Sequence, residues 1–264
     1  MKTVTSKDGT TIAFDQWGAG PVVILVDGAL QYRAFDQGMV QLAELLSQHF
    51  TVIHYDRRGR GDSTDTQPYA LAREIEDIEA LIDDAGGSAF LYGISSGAAL
   101  AMEAAIALPK QVKKLAMYEA PYNDDPAAQQ AWREYTKQLG ELLAEGRDGD
   151  AVGLFMMLVG ATANQVDEIR QTPMWPLWES VGHTLAYDHI AALGEDATIP
   201  TEQAARVIVP TLVMDGGESF PFMHTTAVTL ATAMPNGRHR TLEGQTHEVA
   251  AEAIAPVLIE FFKA

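Results

Sequence analysis

A serine flanked by glycines, in "GISSG" at residues 93–97, lies between an apolar run and an alanine-rich run. The run "SAFLY" before it is typical of a buried strand, and "AALAMEAAIAL" after it is typical of a helix. A serine on a sharp strand-to-helix turn adopts strained backbone angles, so the residues two positions away must be very small. Such a pentapeptide often occurs by chance, but the strand and helix around it favour catalysis. We therefore predict that Ser95 is a nucleophile and that the Ser96 backbone N–H binds a developing oxyanion.

A serine hydroxyl is a weak nucleophile unless a nearby base accepts its proton, so we expect one of the seven histidines to do so. His247, in "LEGQTHEV", follows the last predicted strand and precedes the last predicted helix. That loop returns to the carboxyl edge of the sheet, where Ser95 is expected, and His247 is the predicted base. The other histidines are assigned to early strands, to a helical insertion, or to surface and packing positions: His49, His54, His183, His189, His224 and His239.

The composition excludes several classes of function. The formal net charge of -18 disfavours nucleic acid and anionic membranes as partners. Without cysteine, the chain has no disulfide, no thiolate nucleophile and no cysteine-ligated metal. No run resembles a secretory signal or a membrane span. We expect a cytoplasmic protein that acts on a small molecule and uses neither a metal nor another cofactor.

Strands alternate with helices along most of the chain, which indicates a mostly parallel central sheet with helices on both faces. The first two predicted strands are too close together for a helical crossover, and we expect them to form a hairpin at the sheet edge. Strands are predicted at 11–17, 22–26, 51–55, 89–93, 114–118, 207–214 and 239–243, and helices at about 36–48, 70–84, 96–108, 224–234 and 248–262.

One long segment, residues 122–205, contains several helical stretches and no convincing strand. We predict that it is an all-helical cap inserted into an α/β core of residues 1–121 and 206–264. An insertion after a strand lies above the carboxyl edge of the sheet, where open α/β folds bind ligands.

The order of these features resembles that of the α/β-hydrolases with a cap domain, over essentially the whole chain. Besides "GISSG", the insertion and "QTHEV", the resemblance rests on "VDGAL" at 26–30 and "YDRRGRGDS" at 55–63, a loop expected to be structural. It implies the α/β-hydrolase fold, and it implies that Ala29 supplies a second oxyanion N–H. Many members have histidine where this chain has Asp27. A carboxylate facing the site would oppose an oxyanion, so we expect Asp27 to turn away or to pair with Arg57 or Arg58.

The carboxylate that should orient the histidine is missing from its usual place in the family. There, after the penultimate core strand, "PTLVMDGGESFPF" aligns Ser219 with the usual acid. Glu218 or Asp215 could replace it. Alternatively, Glu119 in "MYEAPY" follows the strand 114–118 and reaches the same edge. Some haloalkane dehalogenases and the fungal zearalenone lactonases resemble this second pattern, and we favour Glu119.

The resemblance to the lactonases includes the "DG" of the oxyanion loop, two serines at the elbow and a cap tryptophan near the ligand. It implies that Trp178 contacts the substrate, with Trp175 beside it. We add Met156 of the same insertion as a candidate. An apolar cap suits an uncharged, hydrophobic substrate, although such residues often serve packing alone.

The chemistry expected from these residues is acyl transfer. Dehalogenases need a carboxylate nucleophile, which Ser95 does not provide. We hypothesise a cofactor-free serine hydrolase that cleaves an ester or lactone through an acyl-enzyme. A lyase or perhydrolase of the same fold, or a low-turnover ligand receptor, remains an alternative. Neither the substrate nor the oligomeric state follows from the sequence.

Overall fold

The computed structural model describes residues 1–264, and its centre is an eight-stranded sheet in the order β1-β2-β4-β3-β5-β6-β7-β8. The strands are β1 (Lys2–Thr5), β2 (Thr11–Trp17), β3 (Val22–Val26), β4 (Thr51–Tyr55), β5 (Ala89–Ile94), β6 (Val112–Tyr118), β7 (Thr211–Gly216) and β8 (Gly237–Leu242). In this order, the strands from β4 through β8 are parallel to their neighbours. β2 is antiparallel to both of its neighbours, β1 and β4. The predicted α/β architecture is confirmed.

Five helices cover the two faces of the sheet, as the pattern predicts. They are α1 (Gln37–Leu46) and α10 (Ala251–Lys263) on one face, and α2 (Leu71–Asp84), α3 (Ser96–Ala107) and α9 (Pro221–Ala233) on the other. Alternate residues of β3 pack on opposite faces of the sheet. Val23 and Leu25 join a cluster with α1 and α10, and Ile24 and Val26 join a cluster with α2, α3 and α9. All five β3 residues are therefore buried.

The expected hairpin between the first two predicted strands is wrong. The strand at 11–17 pairs instead with β1, which the sequence analysis did not identify, and with β4. β4 lies between this strand and β3, because α1 connects β3 to β4 as a parallel crossover. β1 was not predicted because its four residues are mostly polar and, in the structure, mostly exposed.

The strand predicted at 207–214 begins four residues later, at Thr211. Pro210, directly before it, has no backbone N–H for a ladder hydrogen bond. The apolar residues before the proline instead pack from a loop, with Val207 and Val209 buried in the core. The strand was therefore predicted to begin too early, because the prediction followed the hydrophobicity of the residues before Pro210.

Between β6 and β7 the chain is helical. It contains α4 (Pro126–Ala144), α5 (Asp148–Leu158), α6 (Ala163–Ile169), α7 (Trp175–Glu179) and α8 (Thr201–Ala204), with a 3-10 turn at Gly182–Thr184 and a π-helical turn at Ala186–Ala192. A separate apolar cluster joins these helices to Leu30 and Tyr32 of the loop after β3. The division of the chain into a core and a cap of residues 122–205 stays a prediction. No helix is long and apolar enough to cross a membrane.

A buried carboxylate fastens this helical segment to the sheet. Asp188, in the π-helical turn, is fully buried and accepts hydrogen bonds from Arg57, Arg60 and the Ser96 hydroxyl. Burial acts to raise the pKa of Asp188, but the two guanidinium groups outweigh it and hold that pKa at about 2. The loop at 55–63, expected to be structural, thus binds the helical segment.

The next residue, His189, is buried as a neutral base. Its Nδ1 lies 2.7 Å from the Tyr135 hydroxyl, and its ring packs against Phe155 and Trp132. Burial lowers the pKa of His189 to about 4, against a usual value of 6.5. The neighbouring charge of Asp188 does not offset the desolvation.

The lowered pKa predicts a pH-dependent loss of stability. Between pH 6.5 and 4 the unfolded chain binds a proton at residue 189 and the folded chain does not, so the free energy of unfolding falls as the pH falls. Replacing His189→Gln should remove up to about 1.4 kcal/mol per pH unit of that slope. Urea unfolding of both proteins across this window measures it.

The exposed His49 offers a matched control. His49→Gln should retain the slope of the parent protein. Equal slopes for the parent and His189→Gln would show that the folded and unfolded chains bind a proton at residue 189 equally, which would contradict the lowered pKa.

Candidate active site

Ser95 sits on a strained turn between β5 and α3. Its φ of 56° and ψ of -129° lie outside the ordinary regions for a residue with a side chain. A Cβ at Gly93 would collide with the Gly97 carbonyl oxygen, and a Cβ at Gly97 would collide with the Val26 carbonyl oxygen. The two glycines are thus required for the close packing that holds Ser95 at the start of α3.

The loop after β3 lies against this turn. A Cβ added to Gly28 would be 3.1 Å from the Cβ of Ser95. The loop is braced internally, because the Gly28 N–H donates to the side chain of Gln31 over 2.7 Å and Leu30 adopts a φ of 61°. Neither the Ala29 nor the Ser96 amide donates a hydrogen bond in the structure. Both N–H groups are therefore available to a ligand, and their oxyanion role stays a prediction.

Glu119 lies directly beyond β6, with a φ of 48° and a fully buried carboxylate. Its Oε2 lies 2.7 Å from His247 Nδ1 and accepts the Ser219 hydroxyl over 2.8 Å. Its Oε1 accepts the Gly216 N–H over 2.7 Å. The side chain aligned with the usual acid of the family thus serves as a hydrogen-bond donor to the carboxylate on the neighbouring strand.

The other two carboxylates considered from the sequence do not contact His247. Asp215 is buried, but it bonds to His224 and His239. Glu218 has an exposed side chain. The geometry therefore favours Glu119 as the group that orients the imidazole.

The end of β6 connects the elbow to the histidine loop. The Ser95 N–H donates to the Tyr118 carbonyl over 2.9 Å, and the Tyr118 hydroxyl donates to the Thr246 carbonyl over 2.5 Å. The structure contains no direct hydrogen bond between Ser95 and His247. In hydrolases without substrate such contacts are often long and shorten when the substrate binds. His247 is partly exposed, and its Nε2 accepts no hydrogen bond from the protein.

Asp27 binds a partner that the sequence analysis did not consider. Its carboxylate lies 2.8 Å from His54 Nε2, with both side chains buried, and does not pair with Arg57 or Arg58. Burial acts to lower the pKa of His54, but the charge of Asp27 outweighs it, so the net shift is upward. Of the two expectations for Asp27, the pairing of its carboxylate with Arg57 or Arg58 is wrong, and Arg57 donates instead to the Asp27 backbone carbonyl over 3.2 Å. The parallel register places His54 opposite Leu25, two residues before Asp27, and strand pairing was the signal that could have found it.

Of the apolar residues predicted from the helical segment, Trp178 and Met156 are partly exposed and pack on the same apolar cluster as Ala29. The Trp178 ring lies 5.4 Å from the ring of Phe35, in the loop after β3. Trp175 is buried within the helical segment, with the Arg170 guanidinium 4.6 Å from its ring. Substrate contact by any of the three stays a prediction, and Phe35 is an addition that the sequence did not suggest.

Ser96 also has a contact that its motif does not reveal. Its hydroxyl donates to Asp188 over 2.8 Å, and the two residues are 92 positions apart in the chain. No local sequence signal predicts such a pair. The second serine of "GISSG" therefore joins the elbow to the helical segment through its side chain.

Solved structures share this architecture over the full chain. The chain is 53% identical to an alpha/beta hydrolase from Sphaerobacter thermophilus, with a TM-score of 0.87 over 99% of this chain and 100% of that one. A thermophilic esterase from Thermogutta terrifontis is 21% identical, with a TM-score of 0.73 over 99% of this chain and 97% of that one, and shows the same fold.

Relatives found by sequence also match most or all of the chain. A non-heme chloroperoxidase from Streptomyces lividans is 28% identical over the whole of both chains. A zearalenone hydrolase from Cladophialophora bantiana is 22% identical over 75% of this chain and 86% of that one. The model of the alpha/beta hydrolase family matches residues 18–253. The resemblance found in the sequence is thus confirmed, and the chain belongs to the alpha/beta hydrolase family, as an enzyme of the hydrolase type.

Proposed function

We propose that this enzyme cleaves a carboxylic ester or lactone of an uncharged, hydrophobic small molecule through an acyl-enzyme on Ser95. The contact that carries the proposal is the 2.7 Å pair between His247 and the buried carboxylate of Glu119. Glu119 directly follows β6, the neighbour in the sheet of β5, which leads into Ser95. A nucleophile, a base and a group that orients the base are the parts that acyl transfer needs.

In the acylation step the Ser95 oxygen attacks the carbonyl carbon while His247 Nε2 accepts the hydroxyl proton. The positive imidazolium donates its Nδ1–H to Glu119, whose charge stabilises it. The Ala29 and Ser96 N–H groups bind the oxyanion of the tetrahedral intermediate. As the intermediate collapses, His247 returns the proton to the departing alcohol, which in a lactone remains attached to the acyl group.

In the second step water attacks the acyl-enzyme. His247 accepts a proton from that water and then donates it to the Ser95 oxygen as the acyl bond breaks. The carboxylic acid leaves and the serine is restored. This sequence needs no metal or other cofactor.

The surroundings of the elbow support an uncharged substrate. The arginines of the loop at 55–63 are buried and paired with carboxylates. The aromatic and aliphatic groups near Ala29, including Trp178 and Phe35, supply apolar surface. The net charge of -18 further supports a neutral small molecule over nucleic acid or an anionic membrane.

A second candidate is perhydrolysis, in which hydrogen peroxide attacks the acyl-enzyme in place of water and a peracid leaves. The similarity to the non-heme chloroperoxidase over the whole chain favours it. Peroxide-dependent oxidation of bromide in the presence of an ester or carboxylic acid would reveal the peracid. Absence of such oxidation would exclude perhydrolysis.

Replacing Ser95→Ala should lower the hydrolysis of p-nitrophenyl esters by at least about 1,000-fold, because the nucleophile is removed. Stopped assays at saturating substrate measure the turnover, and the melting temperature checks that the variant folds. Ser88→Ala, directly before β5 at its opposite end, is the matched control and should keep full activity. Turnover retained by the Ser95 variant would exclude the proposed acyl-enzyme.

Replacing Glu119→Gln should lower kcat by about 100-fold or more, because the amide cannot stabilise the imidazolium. Glu218→Gln and Asp215→Asn should change kcat less than about twofold. Steady-state kinetics on one ester compares the three variants. A larger loss at residue 215 or 218 than at residue 119 would place the acid after β7.

Replacing Trp178→Ala should raise KM for long-chain esters more than for acetate, because apolar surface at the cap is lost. A series of p-nitrophenyl esters of increasing chain length, with a few lactones beside it, gives the dependence and narrows the substrate class. Leu177→Ala, an exposed neighbour, is the control. Equal effects on short and long esters would separate Trp178 from substrate binding.

A further inference from the structure

A second group of chemically active side chains lies at the end of β7, on Asp215, His224 of α9 and His239 of β8. Asp215 Oδ2 is 3.0 Å from His224 Nδ1, and Asp215 Oδ1 is 2.5 Å from His239 Nε2. One ligand atom from each residue falls within 4.8 Å of the other two. None of these side chains bonds to Ser95, His247 or Glu119, so the group is separate from the proposed catalytic residues.

We propose that these three side chains bind one divalent transition-metal ion, with zinc the best match. Two imidazole nitrogens and one carboxylate oxygen form a ligand set that suits zinc and neighbouring transition metals, whereas magnesium and calcium prefer oxygen ligands alone. Each imidazole binds through a nitrogen lone pair and carries its proton on the other ring nitrogen.

The distances fit such an ion after a small adjustment. Zinc bonds of about 2.0–2.1 Å in tetrahedral geometry place neighbouring ligand atoms about 3.3 Å apart. The contact of Asp215 with His224 is 3.0 Å, and the contact with His239 must open by less than about 1 Å. The two imidazole rings are nearly perpendicular, at 82°, with centroids 5.2 Å apart, so neither blocks the other.

The charge around Asp215 also distinguishes this group. Four other buried carboxylates, on Asp56, Glu74, Asp77 and Asp188, each pair with an arginine. Asp27 and Glu119 instead each pair with one histidine, and Asp215, at 1% exposure, is the one buried carboxylate that pairs with two. Unlike a guanidinium, an imidazole is not permanently charged, so two imidazoles do not balance a buried carboxylate as an arginine does. A divalent ion at this point neutralises it.

The surroundings provide both an entrance and support. The His224 side chain is 57% exposed, so an ion reaches the group from solvent and water completes its coordination. The Thr241 hydroxyl lies 3.2 Å from Asp215 Oδ1 and 3.5 Å from His224 Nδ1, so it helps to orient the carboxylate. Hydrogen bonds of this kind fix metal ligands in place.

The role assigned to the ion is structural. It links β7, α9 and β8, and Asp215 directly precedes Gly216, whose N–H supports Glu119. Because no ligand contacts Ser95 or His247, the ion should stabilise the fold without entering the reaction.

Calorimetric titration of the full chain with zinc sulfate, after treatment with EDTA, tests the proposal. We expect one ion per chain. At free zinc about 100 times the dissociation constant, the melting temperature should rise by about 5 °C, and magnesium should produce no rise. Cobalt should give a visible absorption band of a low-coordinate site.

The variants His224→Gln and His239→Gln should each weaken zinc binding at least about 10-fold and remove the cobalt band, because a ligand is lost. Both should keep metal-free ester hydrolysis, and their metal-free melting temperatures report folding. His49→Gln, at an exposed histidine elsewhere, should bind zinc like the parent protein. Absence of stoichiometric binding, or binding that survives both substitutions, would overturn the proposal.

Discussion

The buried carboxylate of Glu119 organises the region around the elbow. It takes hydrogen bonds from the Gly216 N–H, the Ser219 hydroxyl and His247, so the end of β7 and the histidine loop both converge on one side chain. A carboxylate removed from water needs such donors, because an unpaired buried charge is strongly destabilising. The neighbouring Tyr118 adds bonds to the elbow and to the histidine loop. The end of β6 therefore sets the relative positions of groups that are far apart in the chain.

Charge is buried elsewhere in balanced sets. Arg57 and Arg60 meet Asp188 and, with the Glu74 carboxylate, form a network without solvent exposure. Buried ion pairs contribute little net stability, since desolvation offsets most of the attraction. Breaking one partner is nevertheless costly, because the other charge remains buried. Such a network therefore fixes the position of the helical segment on the sheet more than it strengthens the fold.

Much of this architecture can be predicted from the sequence, because it depends on local patterns of residues. Buried parallel strands such as β3 are continuous apolar runs, and the elbow needs glycines at fixed spacing around Ser95. Long-range pairings left no such signal. The polar edge strand β1 has no hydrophobic alternation, and the partner of Asp27 depends on which strands are neighbours in the sheet. The choice of Glu119 rested on family likeness as well as on its place after a strand. The contact that it makes with His247 needed the folded chain.

The hydrogen bond from the Ser96 hydroxyl to Asp188 joins the start of α3 to the helical segment. Ser96, whose amide is proposed to bind the oxyanion, is thus held to the helical segment through its own side chain. A displacement of Asp188 would free that serine and leave two guanidinium charges without their shared counterion. Lifting this part of the helical segment would therefore cost a buried hydrogen bond and two ion pairs, so Asp188 holds the segment in place beside the elbow.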